Sequence, residues 1–222
     1  MKRFVIIVAA GKGRRMSSDI PKQFMLLGDK PILMHTISNV YGFDRAQNII
    51  LILDKEYFAF WDELCIKHKF DIPLTLIEGG KERFYSVKNG LEAVEDDAIV
   101  AIHDGVRPFV SREVWINCME VALTKGNAIS AITPKDSIRI KNDKETSAVN
   151  RNNIYLVQTP QCFHSTDIKK AYQQLYRDSF TDDIQVLETF KATHANIVDG
   201  NKENIKITDP FDMLLAKQLL LK

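Results

Sequence analysis

The chain has 222 residues, 45% of them hydrophobic, with 30 basic and 29 acidic side chains and a net charge of +1. That length supports one domain with a sizeable core. The balanced charge excludes a global attraction to nucleic acid or an acidic surface, so any anion must be held by local clustering. Three widely spaced cysteines (Cys65, Cys118, Cys162) exclude a disulfide framework or a zinc site and suit a reducing cytoplasm.

In chain order, the apolar run after Lys2 and Arg3 predicts a first strand over 3–9. It is too brief, and too soon interrupted by Gly11 and a cation cluster, to be a signal peptide. Helical spacing follows over 32–41, a strand over 49–53, a helix over 57–69 and a strand over 74–77. A helix over 85–94, a strand over 98–102, a helix over 112–124 and a strand over 128–133 continue the alternation. This order predicts an α/β fold, a single doubly wound, mostly parallel sheet with helices on both faces. Residues 134–158 break the rhythm: 137–140 and 148–149 flank a polar turn and read as a projecting β-hairpin arm. An isolated hairpin is marginal in water, so the arm is expected to pack on something, a second copy of the chain being one answer. Helices over 165–177 and 182–191, a strand over 195–198 and a closing helix over 210–221 complete a single domain, residues 1–222. No apolar stretch is long enough to span a membrane.

The most informative segment follows the first strand: Ala9-Ala10-Gly11-Lys12-Gly13-Arg14-Arg15-Met16, then Pro21-Lys22-Gln23. A strand that opens into a small, glycine-rich, cationic loop is where an α/β protein holds phosphate. Met16 stands where the dinucleotide fingerprint needs its third glycine, and no Gly-Lys-Ser/Thr run makes a P-loop. The cation density suits a triphosphate. Other strand ends add candidates. Gly79 and Gly80, followed by Ser86, permit close backbone approach to a flat base. Asp104, at the end of the fourth strand, is placed to help hold Mg²⁺; Arg107 is expected to steady that carboxylate or the loop itself, and His103 reads as structural rather than as a base. Arg151 and Lys206 stand out among the later cations, Lys206 because it alternates with Ile205 and Ile207. Thr181 reads as a helix N-cap.

Taken together, Ala9–Met16, Pro21-Lys22-Gln23, Gly79-Gly80 with Glu82-Arg83 and Ser86-Val87, His103-Asp104 with Arg107-Pro108, Arg151, Thr159-Pro160-Gln161 and Asn204-Ile205-Lys206 resemble the 2-C-methyl-D-erythritol 4-phosphate cytidylyltransferase family, in order and over nearly the whole chain. The resemblance implies a Rossmann-like nucleotidyltransferase fold and a cytoplasmic homodimer joined through the arm. It implies CMP transfer from CTP to 2-C-methyl-D-erythritol 4-phosphate, with Mg²⁺, in isoprene biosynthesis. Arg15 and Lys22 would then stabilise the transition state. Ala9, Ala10, Gly11, Lys12, Gly13, Gly80, Ser86 and Asp104 would bind CTP, with Asp104 also the metal candidate. Arg151, Lys206, Arg107, Ser137 and Thr159 would hold the sugar phosphate, Arg151 reaching into the partner's site. Lys81 stands where relatives often carry an acid, Ser137 replaces a familiar threonine, and the arm is a few residues short. A ribitol 5-phosphate cytidylyltransferase remains the nearest alternative, a sugar-1-phosphate nucleotidyltransferase a more distant one, and a non-catalytic nucleotide-binding module an alternative of another class.

Overall fold

A computed structural model describes residues 1–11 and 20–221. Its centre is a seven-stranded sheet, built from β1 (Arg3–Val8), β4 (Asn48–Leu53), β5 (Thr75–Glu78), β6 (Ile99–Asp104), β7 (Asn127–Ile132), β10 (Leu156–His164) and β11 (Ile197–Asp199). The spatial order is β11-β7-β10-β6-β1-β4-β5. β1 pairs in parallel with β4 and β6, β4 with β5, and β7 with β11. The chain builds outward from β1 through β4 to β5, then crosses back to β6 on β1's other side. That reversal makes a crevice beyond the carboxyl ends of β1 and β6, the place where such sheets bind ligands.

Period-two alternation explains the two-sided core. In β1, Val5 and Ile7 face one layer with Leu51, Ala101 and residues of α1 (Ile32–Phe43), α2 (Phe58–His68) and α4 (Arg112–Lys125). Phe4 and Ile6 face the other, with Ile50, Ile52 and residues of α3 (Arg83–Glu92), α5 (Ser165–Ala171) and α6 (Asp183–Phe190). A third cluster seats α7 (Pro210–Leu220) on Leu27, Ile32, Val106 and Ile207. Leu27 belongs to a short ribbon of β2 (Leu26–Leu27) and β3 (Lys30–Pro31).

Within the central sheet, the element sequence departs from expectation around residues 156–164. Those residues form β10, an antiparallel strand between β6 and β7 near the middle of the sheet, where no strand was expected. Its Gln158, Thr159, Gln161 and Pro160 disguise it, because a buried strand normally reads as an apolar run. The ladder with β7 shifts register between Val157 and Gln161, an irregularity of the kind that re-aims side chains near a site. The hairpin is β8 (Ile138–Asn142) against β9 (Glu145–Val149), a separate two-stranded sheet turned by Asp143 and Lys144, with Asp143 at φ 47°. Apart from the half-buried Ile138 and Val149, its residues are exposed. Helix α5 ends earlier than expected, with Tyr172 as its C-cap. Asp182, not Thr181, caps α6, its Oδ1 accepting the Gln185 amide at 3.1 Å; Thr181 instead donates to Gln185 Oε1.

Ile6 is fully buried in β1 between α3 and the neighbouring strands. Ile6→Ala is therefore expected to cost about 2–5 kcal/mol of stability, read as a lower urea midpoint with an unchanged slope.

Candidate active site

The carboxyl ends of β1, β4, β5 and β6 open onto a cleft of about 820 Å³. Ala9, Ala10 and Gly11 form the wall that leaves β1, and the buried Gln23 amide pins it by donating to the Ala9 carbonyl at 2.7 Å and to that of Gly11 at 3.3 Å. Lys22 lines the same cleft at the start of the 3-10 turn Lys22–Phe24, which the buried Gln23 and Phe24 anchor. Lys12, Gly13 and Arg15 lie outside the described residues.

The opposite wall is the loop from β5 into α3. The Gly80 amide donates to the Ser86 hydroxyl at 3.1 Å, and that hydroxyl donates to the Glu82 carbonyl, also at 3.1 Å. A Cβ on Gly79 would lie 2.3 Å from the Ala10 Cβ, and one on Gly80 2.3 Å from the Tyr85 Cβ. Gly79 thus lets the two walls approach this closely, and Gly80 lets its loop pass against the first turn of α3. Lys81 also lines this end.

At the floor, β6 delivers Asp104. Its Oδ2 takes Lys206 Nζ at 3.1 Å and Arg107 Nε at 3.2 Å, and its Oδ1 faces Arg83 Nε at 3.9 Å. Burial opposes the carboxylate's charge, but Lys206, Arg83 and Arg107 outweigh it and hold the group well below the usual carboxylate range. Lys206 owes its place to Ile207, which is buried in the core and whose amide donates to the Val106 carbonyl at 3.0 Å. The strand-like alternation survives in burial, with Ile207 buried and Lys206 exposed, but the segment joins no sheet ladder. Arg107 is fixed a second time by donating from Nη1 to the Asn204 carbonyl at 2.7 Å.

A smaller cavity of about 220 Å³ adjoins, lined by Arg107, Thr159, Gln161 and Asp182, and sharing Arg83, Asp104 and Lys206 with the larger one. Thr159 is held by a chain of hydrogen bonds. The Arg107 carbonyl can only accept, so His103 Nε2, 3.0 Å away, carries the ring's proton. His103 Nδ1 then accepts the Thr159 hydroxyl at 3.0 Å, and the Thr159 oxygen accepts the Asp104 amide at 3.1 Å. Burial pushes His103 down to about 4, so the ring is neutral near pH 7. With both nitrogens engaged and the ring edge-on to Trp115, it is structural, as its sequence position indicated.

The arm's candidates do not join this cleft within the chain. Ser137 is exposed, and Arg151, at the foot of the hairpin, donates to the Lys135 carbonyl. Among the described residues, neither lines either cavity. Conversely, Arg83, Asp183, Tyr172 and Gln23 belong to the site's frame without having been given a role by the sequence. Glu82-Arg83, one residue after the glycine pair, was the available signal.

A family model described as "IspD: 2-C-methyl-D-erythritol 4-phosphate cytidylyltransferase" matches residues 4–222. Relatives of that name from Phocaeicola vulgatus and Bacteroides fragilis are 48% and 46% identical over 220 residues, covering 99% of this chain and all of theirs. Among solved structures, the 4-diphosphocytidyl-2C-methyl-D-erythritol synthase of Anaerococcus prevotii superposes with a TM-score of 0.86 at 29% identity, covering 100% of this chain and 96% of that one. The 2-C-methyl-D-erythritol 4-phosphate cytidylyltransferase of Thermus thermophilus gives 0.81 at 27% identity, covering both chains fully.

His103 supplies a pH test. Its folded value, about 4, lies below the ordinary 6.5, so the unfolded chain binds the proton first and stability falls as pH drops from about 6.5 towards 4. Between pH 7 and 5 this amounts to about 2 kcal/mol. Urea melts of His103→Gln at the two pH values should show that part of the slope missing.

Proposed function

The chain belongs to the 2-C-methyl-D-erythritol 4-phosphate cytidylyltransferase family, and we propose that its cleft transfers CMP from CTP to 2-C-methyl-D-erythritol 4-phosphate by direct in-line attack. The products are pyrophosphate and 4-(cytidine 5'-diphospho)-2-C-methyl-D-erythritol, an intermediate of non-mevalonate isoprenoid synthesis. The observation that carries this reading is the meeting of two cavities at Asp104, Lys206 and Arg83. One is walled by close-set glycines and backbone, the other rimmed by Arg107 and Lys206.

Cytidine lies against Ala9, Ala10, Gly11, Gly80 and Ser86, and Lys12 and Gly13 offer backbone to the triphosphate. The acceptor phosphate is itself the nucleophile at neutral pH, so no general base is needed, and neutral His103 offers none to the cleft. Positioning and charge neutralisation carry such transfers. Arg15 and Lys22 stabilise the charge that builds on the α-phosphate and leaving group. Lys206, Arg107 and Thr159 seat the acceptor.

Mg²⁺ fits here as an ion carried chiefly by the phosphates. Asp104, whose carboxylate already faces Lys206, Arg107 and Arg83, would be the protein group to help hold it, and the described residues contain no group of three metal-ligating side chains. When bound, the ion neutralises phosphate charge.

The remaining donors come from a second copy. The arm stands clear of its own sheet, and Ile140, Tyr155, Leu156 and Val157 near it are exposed. A homodimer that covers them would bring Arg151 and Ser137 to the partner's acceptor site. No helix among the described residues is long and apolar enough to cross a membrane, and the cysteines are free thiols, in keeping with a cytoplasmic enzyme.

Arg15→Ala and Lys22→Ala should each lower kcat by about a hundredfold or more, measured as pyrophosphate release with CTP and the polyol phosphate. Near-normal kcat in both would refute the assignment. Lys206→Ala and Arg151→Ala should raise KM for the polyol phosphate far more than for CTP. Mixing Lys22→Ala with Arg151→Ala subunits tests the arm: heterodimers regain one intact site, so activity should recover to about a quarter of wild type. No recovery after subunit exchange would place Arg151 in its own subunit's site.

A further inference from the structure

Arg83 stands where the two cavities meet and opens α3 directly after the glycine loop. Its guanidinium grips Asp183 at the start of α6, with Nη1 donating to Oδ1 and Nη2 to Oδ2, both at 2.7 Å. The Asp183 side chain is fully buried and also accepts the Tyr172 hydroxyl at 2.5 Å. The Asp183 amide donates to Gln161 Oε1 in β10 at 3.1 Å. A planar fork on a carboxylate so held has little freedom. From this position Arg83 Nε faces Asp104 Oδ1, while Lys206 and Arg107 occupy Oδ2.

We propose that Arg83 is a positioning residue for the acceptor substrate: anchored by Asp183, it orients the Asp104 carboxylate so that Lys206 and Arg107 present their charge to the acceptor phosphate. This rests on the reading above that those two cations hold that phosphate. Asp183 takes one N–H from each Nη and Nε is turned to Asp104, so the guanidinium plane is fixed against the two carboxylates, and the split between acceptor KM and CTP KM distinguishes action through Asp104 from contact with the nucleotide.

The test is steady-state kinetics of the full chain with CTP and the polyol phosphate, each variant checked by its thermal melt. Arg83→Gln alone leaves a buried carboxylate unpaired and endangers the fold. The neutral pair Arg83→Gln with Asp183→Asn removes both charges together, and Arg83→Lys keeps the charge but loses the fork. The neutral pair should raise acceptor KM by about tenfold or more while CTP KM changes less than about threefold. Arg83→Lys should fall between it and wild type. Adding Asp104→Asn should raise acceptor KM no further than Asp104→Asn does alone, because the residues act along one line. If the neutral pair does not fold, Arg83→Lys decides by the same split in KM. The inference is overturned if CTP KM rises in step, if the effects of Arg83 and Asp104 add, or if a folded variant keeps its acceptor KM. Lys206→Ala separates the two layers: an unchanged acceptor KM there sinks the underlying reading, whereas a raised one beside unaffected Arg83 variants sinks only the role of Arg83.

Discussion

One carboxylate, at the last residue of β6, gathers three cations from three parts of the chain. Lys206 arrives just before α7, Arg107 from the turn after β6, and Arg83 from the first turn of α3. Three positive groups brought this close would repel one another in a half-buried cleft, and Asp104 makes their convergence tolerable. The same carboxylate could not stay ionised at so buried a place without them. Each therefore depends on the other, and the cleft keeps a surplus of positive charge at the point where the proposed reaction would bring two phosphorylated molecules together.

The fold supplies the geometry for that convergence. β1 and β6 are neighbours at the point where the sheet reverses its direction of growth, so their ends open a crevice. β10, antiparallel on the other side of β6, sets Thr159 beneath the Asp104 amide and Gln161 beneath the start of α6. The polar side chains of this central strand are buried because each has a partner in the frame of the site. Gln161 binds two amides of α6, and Thr159 closes the His103 chain. Polar groups inside a core are costly unless satisfied, and here their satisfaction holds the walls of the cleft in place.

This arrangement also explains what could be read from the chain and what could not. The strand, glycines and cations around Ala9–Lys22 are contiguous, so local pattern alone pointed to a candidate anion site there. Apolar runs revealed β1, β4 and β6 because their burial leaves no other composition available. β10 carries Gln, Thr, Pro and Gln in place of such a run, and nothing local says that those groups will find partners 20 to 60 residues away in β6, the following loop and α6. The Arg83–Asp183 fork joins residues a hundred positions apart, which no periodicity encodes. Thr181-Asp182-Asp183 was legible as a helix start, but its first buried acid serves as an anchor for Arg83 as well as opening the helix.

The proposed reaction is electrostatic rather than acid–base. Its one histidine at the site is buried, neutral and occupied at both nitrogens; its work is to orient a threonine. A mechanism that relies on fixed charge needs those charges immobile before substrate arrives, since reorganising them during the reaction would return the advantage to water. That requirement accounts for how thoroughly the described cations are tied. Arg107 is bound by a carboxylate and a carbonyl, Arg83 by a buried fork, and Lys206 by Asp104 and the buried Ile207 beside it. Arg151 differs from these three: it sits exposed at the foot of a largely exposed hairpin. If it joins the acceptor site from a second copy, its immobility must come from the interface, so assembly would complete the charge array as well as cover the arm.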